Sequence, residues 1–114
     1  MPSWEDVVAI GRRFPEVEVG TSFGTPALKM RGKGMCRMRT NPDALVLRVI
    51  DLGEREALLQ GRPGAFFSTP HYDGYPYVLV RLAAVDPEEL AELIEDAWRI
   101  RAPKRLVKAY DVEP

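Results

Sequence analysis

Apolar residues fall at alternate positions through three successive stretches: Leu28 and Met30, then Cys36 and Met38, then Leu45, Leu47 and Val49. A period of two marks strands with one buried face. The pattern predicts strands over Pro26–Arg31, Met35–Thr40 and Ala44–Ile50. Gly32-Lys33-Gly34 and Asn41-Pro42-Asp43 supply the turns between them, which reads as an antiparallel meander. Ala65–Thr69 is a short strand or extended segment, and Tyr77–Leu82 is a strong strand with Val78, Val80 and Leu82 on one side. Glu16–Thr25, carrying Gly20 and Gly24, reads as a loop.

The flanking segments have a helical period instead. Trp4, Val7, Val8 and Gly11 share one face, continued by Phe14, and Ser3 with Asp6 three residues on forms a capping box. Asp51 caps a short helix from Leu52 to about Gln60, stopped by Gly61 and Pro63. Asp86-Pro87-Glu88-Glu89 opens a second long helix with an N-cap, a proline in its first turn and an acid at the third position. That helix carries Leu90, Leu93, Ile94, Ala97 and Trp98 on one side. Pro103 ends it, and Leu106, Val107 and Tyr110 suggest a helical tail. The order α-β-β-β-α-β-β-α predicts an α+β two-layer sandwich: an antiparallel sheet of about five strands with the long helices on one face.

Length and composition narrow this little further. A chain of 114 residues, 46% apolar and 29% charged, fits a single globular domain over residues 1–114. A net charge of -1 exerts no bulk attraction for nucleic acid or membrane. The distribution is uneven: Lys29 to Arg48 holds six bases and one acid, whereas Asp86 to Asp96 holds six acids and no base. The single cysteine, Cys36, excludes an internal disulfide and, with one histidine in the chain, offers no zinc set. It falls on the core face and is expected to act as a small hydrophobe. No metal site and no cofactor is expected. The N-terminus has no basic start or apolar stretch of a signal peptide, and apolar runs are only strand-length, so the chain reads as cytoplasmic with no membrane partner. Monomer and homodimer both stay open.

Once Leu28, Met30, Cys36, Met38, Leu45, Leu47, Val49, Val78 and Val80 are assigned to the core, the other sheet face receives Lys29, Arg31, Arg37, Arg39, Arg48 and Arg81, with Val46, Tyr77 and Leu79. One reading is a solvated face whose long cationic stems cover the strands. The other is an anion site. Arg, five of those six cations, suits bidentate contact with phosphate. On the second reading Arg37, Arg39 and Arg48 lie side by side, solvent-accessible and without acid partners.

The densest chemistry is Ser68-Thr69-Pro70-His71-Tyr72-Asp73-Gly74-Tyr75-Pro76-Tyr77, which holds the one histidine and three of the four tyrosines. His71 and Asp73 could form a general base, but residues two apart on a loop need not face each other, and no nucleophile motif accompanies them. The prolines should make this loop rigid, with the polar tips of His71, Tyr72 and Tyr75 hydrogen-bonded to neighbours.

Thr21-Ser22-Phe23-Gly24-Thr25-Pro26-Ala27-Leu28-Lys29 and Thr69-Pro70-His71-Tyr72-Asp73-Gly74-Tyr75-Pro76 together resemble the YjbR/MmcQ family of small bacterial proteins. The likeness extends to Trp4-Glu5-Asp6-Val7, Phe66-Phe67, Val78-Leu79-Val80-Arg81-Leu82 and Ala97-Trp98-Arg99. The resemblance implies a frataxin-like (CyaY-like) fold and DNA binding by a double-wing arrangement, the basic Lys29-Met30-Arg31-Gly32-Lys33 segment matching the family's first hairpin. Frataxin-type iron binding is not carried over, because the first helix follows Glu5 and Asp6 with Arg12 and Arg13. The expected function is therefore a non-enzymatic module that binds DNA through Lys29, Arg31, Lys33, Arg37, Arg39, Arg48 and Arg81. The alternative is a small-molecule or protein-binding domain centred on His71, Tyr72, Asp73 and Tyr75. A minor hydrolase is a third, weaker reading.

Overall fold

In a computed structural model, which describes residues 2–41 and 43–112, the chain folds as six strands and four α-helices. Helix α1 (Trp4–Gly11) starts on the expected capping box: the Asp6 carboxylate accepts the Ser3 N–H at 2.8 Å and the Ser3 hydroxyl accepts the Asp6 N–H at 3.4 Å. Helix α2 (Leu52–Gly61) is capped by Asp51. Helix α3 (Pro87–Arg101) begins with Asp86 accepting the Glu89 N–H at 2.8 Å, and α4 (Lys104–Val112) follows Pro103.

The strands are β1 (Val17–Ser22), β2 (Thr25–Met30), β3 (Lys33–Arg39), β4 (Ala44–Arg48), β5 (Phe66–Phe67) and β6 (Tyr77–Val80). They lie in the order β1-β2-β3-β4-β6-β5, each antiparallel to its neighbours. This corrects the expected count of about five strands and the expected element order, which becomes α-β-β-β-β-α-β-β-α-α. The segment read as a loop over Glu16–Thr25 is mostly an edge strand, paired from Val17↔Met30 to Ser22↔Thr25. Only Val17 and Val19 mark its alternation, because an edge strand buries little.

Two hairpin turns are also tighter than expected. Phe23-Gly24 joins β1 to β2 with φ of +52° and +76°, and Arg31-Gly32 joins β2 to β3 with +51° and +79°. Both follow the type I′ pattern, whose twist matches that of paired strands. An irregularity at Leu28/Lys29 makes Met35 an extra residue opposite β2, so Met35 and Cys36 are both buried. Pro42, in the expected turn after β3, lies outside the described residues.

The core lies on one face of the sheet. Leu28, Met30, Leu45, Leu47, Val78 and Val80 meet Val7 and Ile10 of α1 and Leu90, Ile94 and Trp98 of α3. Helix α1 approaches β2 closely because Gly11 lacks a Cβ, which would stand 2.5 Å from Leu28 Cδ1. Trp98 is fully buried, stacks on Phe14 at 5.6 Å, meets Tyr110 edge-on at 5.0 Å, and donates its indole N–H to the Pro15 carbonyl at 3.0 Å. Trp4 sits half-buried at the edge of this core. Burial pushes the Cys36 thiol up to about 12, so at neutral pH it is protonated and packs as an apolar group. Among the described residues no helix is long and apolar enough to cross a membrane.

Candidate functional site

The sheet face turned away from the helices is not left open. Across it run Arg37↔Val46↔Leu79↔Phe67, with Arg39 opposite Ala44 and Arg48 opposite Tyr77. The loop between β5 and β6 folds back over this surface. A single turn of 3₁₀ helix, Pro70–Tyr72, plants Tyr72 on Ala44, Val46 and Leu79, with Phe67 and Tyr77 beside it. This second, smaller core corrects the expectation of an uncovered basic face.

The loop is held from inside. Arg55 of α2, whose side chain is 7% exposed, donates to Ser68 Oγ at 2.7 Å and to the Tyr77 carbonyl at 3.1 Å, gripping both ends of the segment. Glu56 at 2.9 Å and Asp73 at 3.8 Å balance its charge. Backbone bonds close the interior: Tyr72 N–H to Thr69 at 2.9 Å, Tyr75 N–H to Tyr72 at 3.1 Å, and Val49 N–H to Pro76 at 2.9 Å. Gly74 takes φ of +80°, which glycine adopts without cost.

Between this loop and the β1–β2 hairpin lies a cavity of about 420 Å³, walled by Phe23, Met35, Arg37, His71, Tyr72 and Tyr75, with Ser22 and Tyr77 at its margin. The two segments that carried the family resemblance thus meet across it. Arg37 is part of its wall. One guanidinium nitrogen donates to the Tyr72 hydroxyl at 2.6 Å, another reaches Thr25 Oγ1 and the Met38 carbonyl at 3.5 Å each, and the group sits 5.2 Å from the centroid of the Phe23 ring. The His71 ring stands edge-on to Tyr72 at 4.8 Å. Arg101, from the end of α3, donates to the Tyr77 hydroxyl at 3.0 Å and the Gly34 carbonyl at 2.9 Å.

Phe23 is unusual twice over. It is 90% exposed, and it occupies a left-handed turn position that favours Asn, Asp or Gly. A bulky side chain there carries backbone strain of about 1 kcal/mol or more. Neither solubility nor turn formation asks for a phenylalanine at this point.

The expected site residues separate into groups. Arg37 lines the cavity, and Arg39 lies beyond Tyr72 in a neighbouring depression shared with Arg37, Thr69 and His71. Arg48 donates to the Val49 carbonyl at 2.8 Å, while Arg81 lies 4.0 Å over the Phe67 ring and reaches the Pro63 carbonyl at 3.3 Å. Arg37, Arg39 and Arg48 are half-buried rather than laid out side by side in solvent. Arg37, Arg39, Arg48 and Arg81 have no carboxylate partner among the described residues. Arg31 differs: it clamps Glu16 at 2.8 and 3.2 Å, holding that carboxyl below its usual range, so its charge is compensated. Lys29 is half-buried and Lys33 exposed, both outside the cavity wall.

In the loop, Tyr72 is buried and hydrogen-bonded as expected, but His71 and Tyr75 are exposed on the cavity rim, and no side-chain bond holds either among the described residues. Backbone bonds and Arg55 fix the loop without them. Asp73 turns toward Arg55, not toward His71, so the imidazole–carboxylate pair imagined from their spacing is not assembled. The residues not singled out from the sequence are Phe23, read as part of a loop, and Arg55, one arginine in a short polar helix.

The chain matches the YjbR family model over residues 12–100. Uncharacterized proteins of Mycobacterium tuberculosis and Mycobacterium bovis are each 38% identical, with 96% of both chains covered. The crystal structure of Deinococcus radiodurans protein DR2400, described by the domain label DUF419, superposes with a TM-score of 0.75 at 20% identity, covering 99% of this chain and 91% of that one. The fold is thus shared even where few residues are, and by its matched family model and its relatives this chain belongs to the YjbR family.

Proposed function

We propose that this protein is a non-enzymatic binding module whose ligand, a small organic molecule, enters the cavity between the Phe23 hairpin and the His71 loop. The observation that carries this reading is the meeting of those segments around a half-buried arginine that has no acid partner among the described residues. The volume, about 420 Å³, lies in the range of small-molecule sites, and an apolar wall with a few convergent polar groups is the usual make-up of one. An activity centred on His71 has little support, since Asp73 engages Arg55 and no nucleophile adjoins the imidazole among the described contacts. A frataxin-like (CyaY-like) fold and a cytoplasmic location belong to the same reading. The first is supported by α1 and α3 sharing one sheet face, the second by the unpaired Cys36.

One observation favours nucleic acid as a second reading: among the described residues Arg39, Arg48 and Arg81 have no carboxylate partner, and Phe23 offers an exposed stacking surface. Fluorescence anisotropy with a generic single strand and a duplex separates the two. The cavity reading expects only weak binding that vanishes at physiological salt. It also expects Phe23→Asn to raise stability by about 1 kcal/mol, because Asn accepts the turn's backbone, while abolishing uptake of flat aromatic fragments. Duplex binding that persists at physiological salt and survives Phe23→Asn would overturn the cavity reading in favour of nucleic acid.

A further inference from the structure

We infer that the ligand is a flat aromatic group carrying a phosphate: the ring lies in the cavity against Phe23, and the phosphate passes Arg37 to reach Arg39. This inference rests on the cavity reading above and adds the chemistry of what the cavity takes.

Two features beyond the cavity itself point there. The first is the depression on the far side of Tyr72, lined by Thr25, Arg37, Arg39, Thr69, Pro70 and His71. Arg37 belongs to both walls, so one guanidinium joins the aromatic compartment to the polar one. The second is a pair of buried polar atoms at this depression that have no partner among the described residues, Arg39 Nε and Thr69 Oγ1. Buried polar atoms are nearly always hydrogen-bonded, so two orphans on residues that line one depression mark a place where a partner is wanted. An arginine Nε–H can only donate, and a threonine hydroxyl can do so. With Arg37 adjacent, and neither arginine in an ion pair among the described residues, an anion suits this place as the acceptor. Three donors spread over Arg37, Arg39 and Thr69 suit the several oxygens of a phosphate better than a planar carboxylate.

The aromatic compartment gives the other half. Phe23 already has the Arg37 guanidinium near its ring, and the opposite wall carries Tyr72 and Tyr75, the latter 59% exposed. A flat ring slid between hairpin and loop would bury exposed faces of Phe23 and Tyr75 that water covers without the ligand. The left-handed backbone at Phe23 is then maintained for that contact.

The probe that tests this is 2-naphthyl phosphate, compared by calorimetry with the uncharged 2-naphthalenemethanol and with inorganic phosphate alone. Naphthyl phosphate should bind at least about tenfold more tightly than either comparator, the ratio expected when charge-assisted hydrogen bonds add to ring burial. Arg39→Met breaks only a 3.3 Å bond to the Asn41 carbonyl, so it should fold normally. It should bring naphthyl phosphate down toward the alcohol and leave the alcohol's own affinity unchanged. Alcohol and phosphate binding equally, or an Arg39→Met variant with undiminished preference for the phosphate, would overturn the inference and leave the cavity reading intact. Inorganic phosphate binding as tightly as naphthyl phosphate would overturn the aromatic half. Failure of both aromatic probes would remove the cavity reading as well.

Discussion

Replacing Trp98 by alanine should lower the unfolding free energy by about 3–5 kcal/mol, the range for removing a fully buried tryptophan. The indole is 0% exposed and touches Phe14 and the Pro15 carbonyl just beyond α1 and Tyr110 in α4, so it ties α3 to both of those segments. Truncation leaves a void where they converge, and the Pro15 carbonyl loses its donor. A domain of this size holds only about 5–15 kcal/mol in all, so the variant should sit near its folding limit. Urea denaturation followed by circular dichroism measures this directly. A loss under about 1 kcal/mol would mean that helix α3 does not bear on the core as described.

Arg55→Met should cost about 3 kcal/mol and damage the cavity at the same time. Methionine keeps most of the aliphatic stem but none of the donors, leaving Ser68 Oγ and the Tyr77 carbonyl short of a buried partner. Because those bonds grip both ends of the loop that carries Tyr72, the loop should loosen from Val46 and Leu79. The signature is double: a lower denaturation midpoint, and a rise in tyrosine exposure before global unfolding. Wild-type stability with Tyr72 still protected would show that backbone bonds and prolines hold the loop unaided.

The helices and the inner strands were legible because the sequence states them redundantly. Capping residues and apolar spacing agree at Ser3–Gly11 and Asp86–Trp98, the second with a proline in its first turn, and Ala44–Arg48 and Tyr77–Val80 are apolar runs of strand length. Strand β1 was not legible, since an edge strand buries one side weakly and its turn uses a phenylalanine where turn chemistry calls for Asn or Gly. The site was half legible. Arg37, His71, Tyr72 and Tyr75 stood out by type and crowding. Which face the loop would cover was not written locally, because it depends on Arg55 reaching from α2 to both ends of a segment beyond it in the chain. The basic face followed from alternation alone. That a tyrosine would be laid across it did not.

If the Phe23 hairpin and the His71 loop form one ligand site on the sheet face away from the helices, screening small aromatic fragments, charged and neutral, against the isotope-labelled protein will reveal it in the amide shifts read by nuclear magnetic resonance. Hits should move Ser22–Gly24, Met35–Arg37 and His71–Tyr77 together, and leave α1 and α3 still. Hits that gather instead in the groove of Ile50, Leu58 and Leu93 between α2 and α3, or an absence of shifts at Phe23 and Tyr72 across the whole library, would contradict it.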